Sequence, residues 1–134
     1  MATALAELLE HHVSLEQLAR AARRGIPRRF VNDLASTLEM HPYALAQVLR
    51  TSERTLRRYE PDQLLPPDIS EKALQIARVL ERAIEVLETE KNAVGWLTDH
   101  NGALGAVPLQ MLDSAFGAEQ VLNVLGRIED TVYS

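Results

Sequence analysis

An all-α chain in two lobes, an N-terminal helix-turn-helix lobe followed by a small helical lobe, is the fold this sequence predicts. Three observations carry the prediction. Apolar residues return every three or four positions in most segments between turns, which is the helical period. Residues that open helices stand in front of those segments: Ser14, Pro27, Pro42, Ser52, Ser70, Thr89 and Pro108. Between Glu60 and Ile69 the chain carries three prolines and no helical stripe, so residues 1–60 and 70–134 read as lobes and 61–69 as their connector.

Ser14-Leu15-Glu16-Gln17 has the form of a capping box, in which the Ser side chain accepts from the backbone three residues on and the Gln reaches back. It predicts a helix from Leu15 to just before Gly25, with Leu15, Leu18, Ala19 and Ala22 as its apolar stripe. Pro27 suits the first turn of the next helix, where a missing N–H costs nothing, and Phe30, Val31, Leu34 and Leu38 form the face it buries. Pro42 plays the same part for a short third helix bearing Leu45, Ala46, Val48 and Leu49. Arg50-Thr51-Ser52 then has about the length of the turn that joins the two helices of a helix-turn-helix. Ser52 caps a fourth helix from about Glu53 to Tyr59. Leu56 is its only strongly apolar residue before Tyr59, which turns Leu56 inward and Arg54, Thr55, Arg57 and Arg58 outward.

Ser70 is read as the cap of a long helix reaching about Glu88. Its seam of Leu74, Ala77, Leu80, Ile84 and Leu87 either packs the two lobes together or forms a homodimer. Thr89 caps a further helix through Ala93, Val94, Trp96 and Leu97, with Trp96, the sole tryptophan, as a core anchor. After a turn-rich loop over residues 98–105, Pro108 opens a short helical turn with Leu109 and Leu112 inward, and Asp113 or Ser114 caps the last helix. That helix has Phe116, Val121, Leu122, Leu125 and Ile128 as its buried stripe. Gly126 interrupts it at a cost of about 1 kcal/mol relative to Ala, which predicts close approach of another backbone there. Arg127 and Glu129 flank Ile128 and cannot share its face, so they form the exposed polar end of a helix that delivers Val132 and Tyr133.

Composition narrows the function classes. A chain of 134 residues with 46% hydrophobic and 25% charged residues reads as soluble and globular, and no apolar run approaches about 20 residues, the length of a membrane span. Acids stand where a secretory signal needs positive charge, and there is no cysteine, so the cytosol is the expected compartment. The net charge of −5 hides an asymmetry: residues 1–59 hold nine arginines against six acids, whereas residues 60–134 hold five basic residues against thirteen acids. Such asymmetry points either to two halves with different partners, one tolerant of phosphate and one not, or to simple solvation of the helix faces. Arginine bonds guanine bidentately in the major groove and also contacts phosphates, so the 53–59 helix is suited to DNA; the alternative is a solvated basic helix. The four histidines lie in separate segments, and adjacent His11 and His12 do not present two ligands on one helix face, so no metal is expected. Without a Gly-rich phosphate loop or a nucleophile elbow, no cofactor and no enzymatic activity are expected.

Two linked motifs carry a family resemblance. The run Leu104-Gly105-Ala106-Val107-Pro108-Leu109-Gln110-Met111-Leu112-Asp113, an amphipathic helix, Gly126-Arg127-Ile128-Glu129 and a short aromatic tail together resemble the toxin-binding domain of the Xre/MbcA/ParS antitoxin family. Upstream, Ser52-Glu53-Arg54-Thr55-Leu56-Arg57-Arg58 is similar to the string that follows that family's helix-turn-helix, and the two motifs cover residues 25–134 in the family's order. Two positions depart: Arg50-Thr51 stand where the family commonly has a Gly and a small apolar residue, and Thr131 where it often has Gly. The resemblance implies an antitoxin of a type II toxin-antitoxin system, paired with a RES-domain toxin that consumes NAD or transfers its ADP-ribose. It implies blockage of the toxin's cleft by Arg127, Glu129, Val132, Tyr133 and Ser134, above a platform shaped by Pro108, Leu109, Leu112 and Asp113. It also implies autorepression through operator DNA held by Ser52, Arg54, Thr55, Arg57 and Arg58, and a homodimer within a larger toxin complex. The competing reading is a stand-alone helix-turn-helix regulator or adaptor.

Overall fold

The long helix expected at the centre of the sequence is the centre of the fold. The computed structural model describes residues 5–10 and 12–133. It contains α1 (Leu5–Glu10), α2 (Leu15–Arg24), α3 (Arg28–Thr37), a 3-10 turn Pro42–Leu45, α4 (Glu53–Arg57), α5 (Pro67–Leu87), α6 (Glu90–Thr98), a second 3-10 turn Pro108–Asp113, and α7 (Ala115–Tyr133). Among the described residues there is no strand, only the isolated bridges Pro27 to Leu64 and Asn101 to Ala106. No helix there is long and apolar enough to cross a membrane.

Helices α1, α2, α3, α6 and α7 and the second 3-10 turn all pack on α5. That explains why α5 is apolar on more than one stripe: Ala73, Ile76, Ala77, Val79, Leu80 and Ala83 are all fully buried. Leu74, Ala77 and Leu80 of the seam are buried within the single chain and pack the lobes onto one core, whereas Ile84 and Leu87 are partly exposed. Helix α1 was not anticipated. It adds Leu5 and Leu8 to the same core.

Helix α5 starts three residues earlier than its expected cap. Pro67 at the first helical position has its φ preset for a helix, so the helix begins there, with Pro66 at the N-cap, and Ser70 falls inside it. Ser70 is wholly buried instead. Its hydroxyl accepts from the Ile26 amide (3.0 Å) and donates to the Leu65 carbonyl (3.1 Å). The stretch read as a connector is likewise tied down: Leu65 N donates to Ile26 O (2.8 Å), Arg28 N to Gln63 O (2.9 Å) and Arg29 N to Pro61 O (2.9 Å). Gly25 makes this approach possible, since its φ is +93° and a Cβ there would stand 2.5 Å from the Leu65 carbonyl oxygen. Replacing Ser70 with Ala strands a buried donor and a buried acceptor and is expected to lower stability by about 1–3 kcal/mol. An unchanged denaturation midpoint would show that these groups find other partners.

The capping box at α2 is present, with Gln17 N donating to Ser14 Oγ (3.1 Å) and Ser14 N to Gln17 Oε1 (2.9 Å). Four apolar residues sit differently from the expectation, one of them Ala19 of the α2 stripe, which is exposed. Leu15, on the first turn of α2, stands on the rim of a groove between α2 and α5 and is 66% exposed. Trp96 is half-buried at the edge of the core. Phe116 is 83% exposed. Its position is two residues, about 200° of helical rotation, from Ala118, so the phase that buries Ala118, Val121 and Leu125 turns Phe116 away.

Candidate functional site

The basic helix is built from the cap inward. Ser52 Oγ accepts from Thr55 N (3.0 Å) and donates to Thr55 Oγ1 (2.9 Å), which starts α4 at Glu53, and Leu56 is completely buried beneath it. Arg54, Arg57 and Arg58 face solvent and Thr55 is half-buried. Arg57 pairs with Glu53 one turn back, and its guanidinium lies 4.9 Å from the Tyr43 ring centroid, a cation–π contact. Arg54 and Arg58 take part in no ion pair among the described residues. The helix ends at Arg57, two residues short of the expected Tyr59.

Arg28 explains that early end. Although counted among the nine arginines of residues 1–59, it is buried, and its guanidinium donates to the carbonyls of Leu56 (2.9 Å) and Tyr59 (3.1 Å). It therefore clamps the end of α4 and is closed to a ligand. Arg50 occupies the left-handed region (φ +55°), the conformation in which glycine is unstrained, so an arginine there leaves the turn in place at some backbone strain. Thr51 N still closes the turn on Ala46 O (3.0 Å). The Arg50 guanidinium reaches across to Asp113 in the other half of the chain (3.8 Å).

At the C-terminal half, Pro108, Leu109 and Leu112 are buried and Gln75 Nε2 donates to the Leu112 carbonyl (2.8 Å), anchoring the second 3-10 turn to α5. Ser114, and not Asp113, caps α7, accepting from Gly117 N (3.0 Å). The close backbone approach expected at Gly126 is found at Gly117: a Cβ on Gly117 would lie 1.9 Å from the Met111 carbonyl oxygen, whereas one on Gly126 meets nothing within 4 Å. Arg127 is exposed, as its place beside Ile128 requires. Glu129 departs from the expected free polar end. It is held in a two-pronged ion pair by Arg82 of α5, at 3.0 and 2.6 Å. The bond to Arg82 lowers the Glu129 carboxyl below its ordinary value, and the bond to Glu129 raises the Arg82 guanidinium. A lowered carboxyl favours the paired arrangement fully above the ordinary carboxylate range, and that contribution is lost as pH falls from that range through the lowered value of Glu129. Val132 and Tyr133 continue the α7 backbone, but their side chains, and Ser134 altogether, lie outside the described residues.

Sequence reasoning missed one constellation entirely. His12 Nδ1 lies 3.3 Å from Glu81 Oε1 and 3.3 Å from Glu85 Oε1, two carboxylates one turn apart on α5. Burial raises the Glu81 carboxyl, and the bond to His12 opposes that rise. Only the i, i+4 spacing of the two acids was visible in the sequence, because His12 is 69 positions from Glu81.

Comparison with known proteins matches both halves. Residues 82–130 fit the model of the antitoxin Xre/MbcA/ParS C-terminal toxin-binding domain, and residues 17–78 that of the antitoxin Xre-like helix-turn-helix domain. An antitoxin Xre of Yersinia enterocolitica serotype O:8 / biotype 1B is 30% identical over 95 residues, covering 66% of this chain and 64% of that protein. An antitoxin Xre of Photorhabdus laumondii subsp. laumondii is 35% identical over 69 residues, 50% of this chain and 47% of that protein. The chain thus spans 64% and 47% of the lengths of these curated relatives. With a helix-turn-helix match followed by a toxin-binding-domain match, on a helical fold that joins the two on α5, the chain belongs to the Xre/MbcA/ParS antitoxin family.

Proposed function

We propose that this chain is the antitoxin of a type II toxin-antitoxin system, acting by binding and not by chemistry. Its partner is a RES-domain toxin that degrades NAD or transfers ADP-ribose, and the end of α7 with its tail blocks the toxin's cleft. In this reading Arg127, Val132, Tyr133 and Ser134 face the toxin, Pro108 and Asp113 shape the surface beneath them, and Glu129 sets the angle of α7 through Arg82. The observation that carries the reading is the C-terminal toxin-binding-domain match over residues 82–130, which ends on a helix with Arg127 exposed. The α4 face, with Arg54 and Arg58 open and Arg57 steadied by Glu53 and Tyr43, binds the operator and represses the operon. A homodimer bound to toxin is the assembly that fits this role, in the cytosol.

Co-expression with the toxin and gel-shift titration at fixed salt test both halves. Deleting residues 132–134, or replacing Arg127 with Glu, is expected to abolish rescue of growth while leaving DNA binding intact, because a few central contacts dominate an interface. Arg54→Ala and Arg57→Ala should each weaken operator binding by about 1–3 kcal/mol if they contact bases, and Arg58→Ala should weaken all DNA about equally if it contacts phosphate. These three should still neutralise toxin, as distant sites without shared partners behave additively. Full rescue by the truncated chain would sink the cleft-blocking reading, and unchanged affinity in all three arginine variants would remove operator binding by α4.

A further inference from the structure

We propose that His12, Glu81 and Glu85 form a binding site for a divalent transition-metal ion, with Zn2+ as the ion the donor set suits best. The three donor atoms all lie within 4.8 Å of one another, and His12 Nδ1 stands 3.3 Å from an oxygen of each carboxylate. Bonds of about 2.0–2.2 Å to a tetrahedral ion place neighbouring ligand atoms about 3.3–3.6 Å apart. The two histidine-to-carboxylate separations therefore already match the edges of such a polyhedron, and only the carboxylate-to-carboxylate edge has to adjust. Three protein ligands leave the fourth position to water.

The donor set also selects the ion. Two carboxylates and a neutral imidazole balance a dication, and the imidazole nitrogen suits zinc better than magnesium or calcium, which prefer oxygen throughout. Glu81 and Glu85 project from the helix on which the rest of the fold packs, so their backbone is held firmly. Glu85 is further oriented by Arg82, which donates to its second oxygen (3.1 Å) and leaves the first turned to His12. This is the outer-shell bond that aims a ligating carboxylate. The same guanidinium holds Glu129, so the site is joined through Arg82 to α7. Bound metal would pin the segment between α1 and α2 onto α5. Without metal, the His12 ring contacts both carboxylates directly, at 3.3 Å from each, and the test must separate the two states.

Calorimetric titration of the untagged full chain with Zn2+ at neutral pH, in excess Mg2+, makes that separation, with Co2+ absorption as a second reading of tetrahedral coordination. One Zn2+ per chain is expected, undisturbed by Mg2+. His12→Ala and the double variant Glu81→Gln, Glu85→Gln should weaken binding beyond the about 10- to 100-fold that loss of an outer-shell partner costs, and Arg82→Gln should fall within that range. The His12 side chain is 84% exposed, so His12→Ala keeps its fold, which circular dichroism checks. Wild-type protein that binds no Zn2+, or either ligand variant binding it as tightly as wild type, overturns the site.

Discussion

Replacing Gly117 with alanine is expected to destabilise the chain by about 3 kcal/mol or more, the upper end of what overpacking costs. The new methyl would lie 1.9 Å from the Met111 carbonyl oxygen and 2.9 Å from its carbon, both backbone atoms that cannot rotate away. Nor can the turn that carries Met111 retreat, because Leu109 and Leu112 are buried on either side of it and Gln75 holds the Leu112 carbonyl. The opposite result is expected nine residues on. Gly126→Ala meets open space within a regular helix and should stabilise the chain by up to about 1 kcal/mol, the propensity difference. Thermal or urea denaturation of the two variants side by side decides it. Equal effects would show that α7 sits on the second 3-10 turn less tightly than described.

Leu80→Asp is expected to have the second large effect, about 4 kcal/mol or more, which removes most of the stability of a chain at the low end of the ordinary range of about 5–15 kcal/mol. Leu80 has no exposed surface, and a carboxylate there would be desolvated within the core where α5 meets its neighbouring helices. Toxin neutralisation and DNA binding should be lost together, unlike the separable losses from Arg127 and Arg54. Because the burial is within one chain, the loss should not depend on protein concentration. Circular dichroism across a dilution series, with light scattering for mass, distinguishes this from the opening of a dimer seam. A Leu80→Asp chain that stays folded and merely halves in mass would place Leu80 between subunits.

Most elements were legible because the chemistry that starts them is local. The Ser14 box, the Ser52 and Thr89 caps and the apolar spacing of α3 need only residues a few positions apart, and each appears where those residues stand. Leu56 as the inward residue of α4 followed from its being the single apolar position among charged ones. Errors gathered where a residue had two uses that its neighbours could not tell apart. Ser70 fits an N-cap as well as a buried hydroxyl, and Pro67 together with the Ile26 amide decided between them. Phe116 is hydrophobic enough for a core but occupies the wrong phase of α7.

What the sequence by itself determined is the helical class, the order of the elements from α2 onward, the basic face of α4 and the motifs that match the family. Only the tertiary structure decided which partner each polar or small residue meets. Arg28 reaches Leu56 across 28 positions, Ser70 meets Ile26 across 44, Arg82 meets Glu129 across 47 and His12 meets Glu81 across 69. Gly117 rather than Gly126 is the point of contact for the same reason, since the backbone it touches belongs to a turn packed against the start of α7. Periodicity specifies which face of a helix leaves water, because burial is favoured wherever apolar area is removed from solvent. It does not specify what covers that face: hydrogen bonds, ion pairs and close backbone contacts depend on direction and distance, and those exist only once the helices have packed.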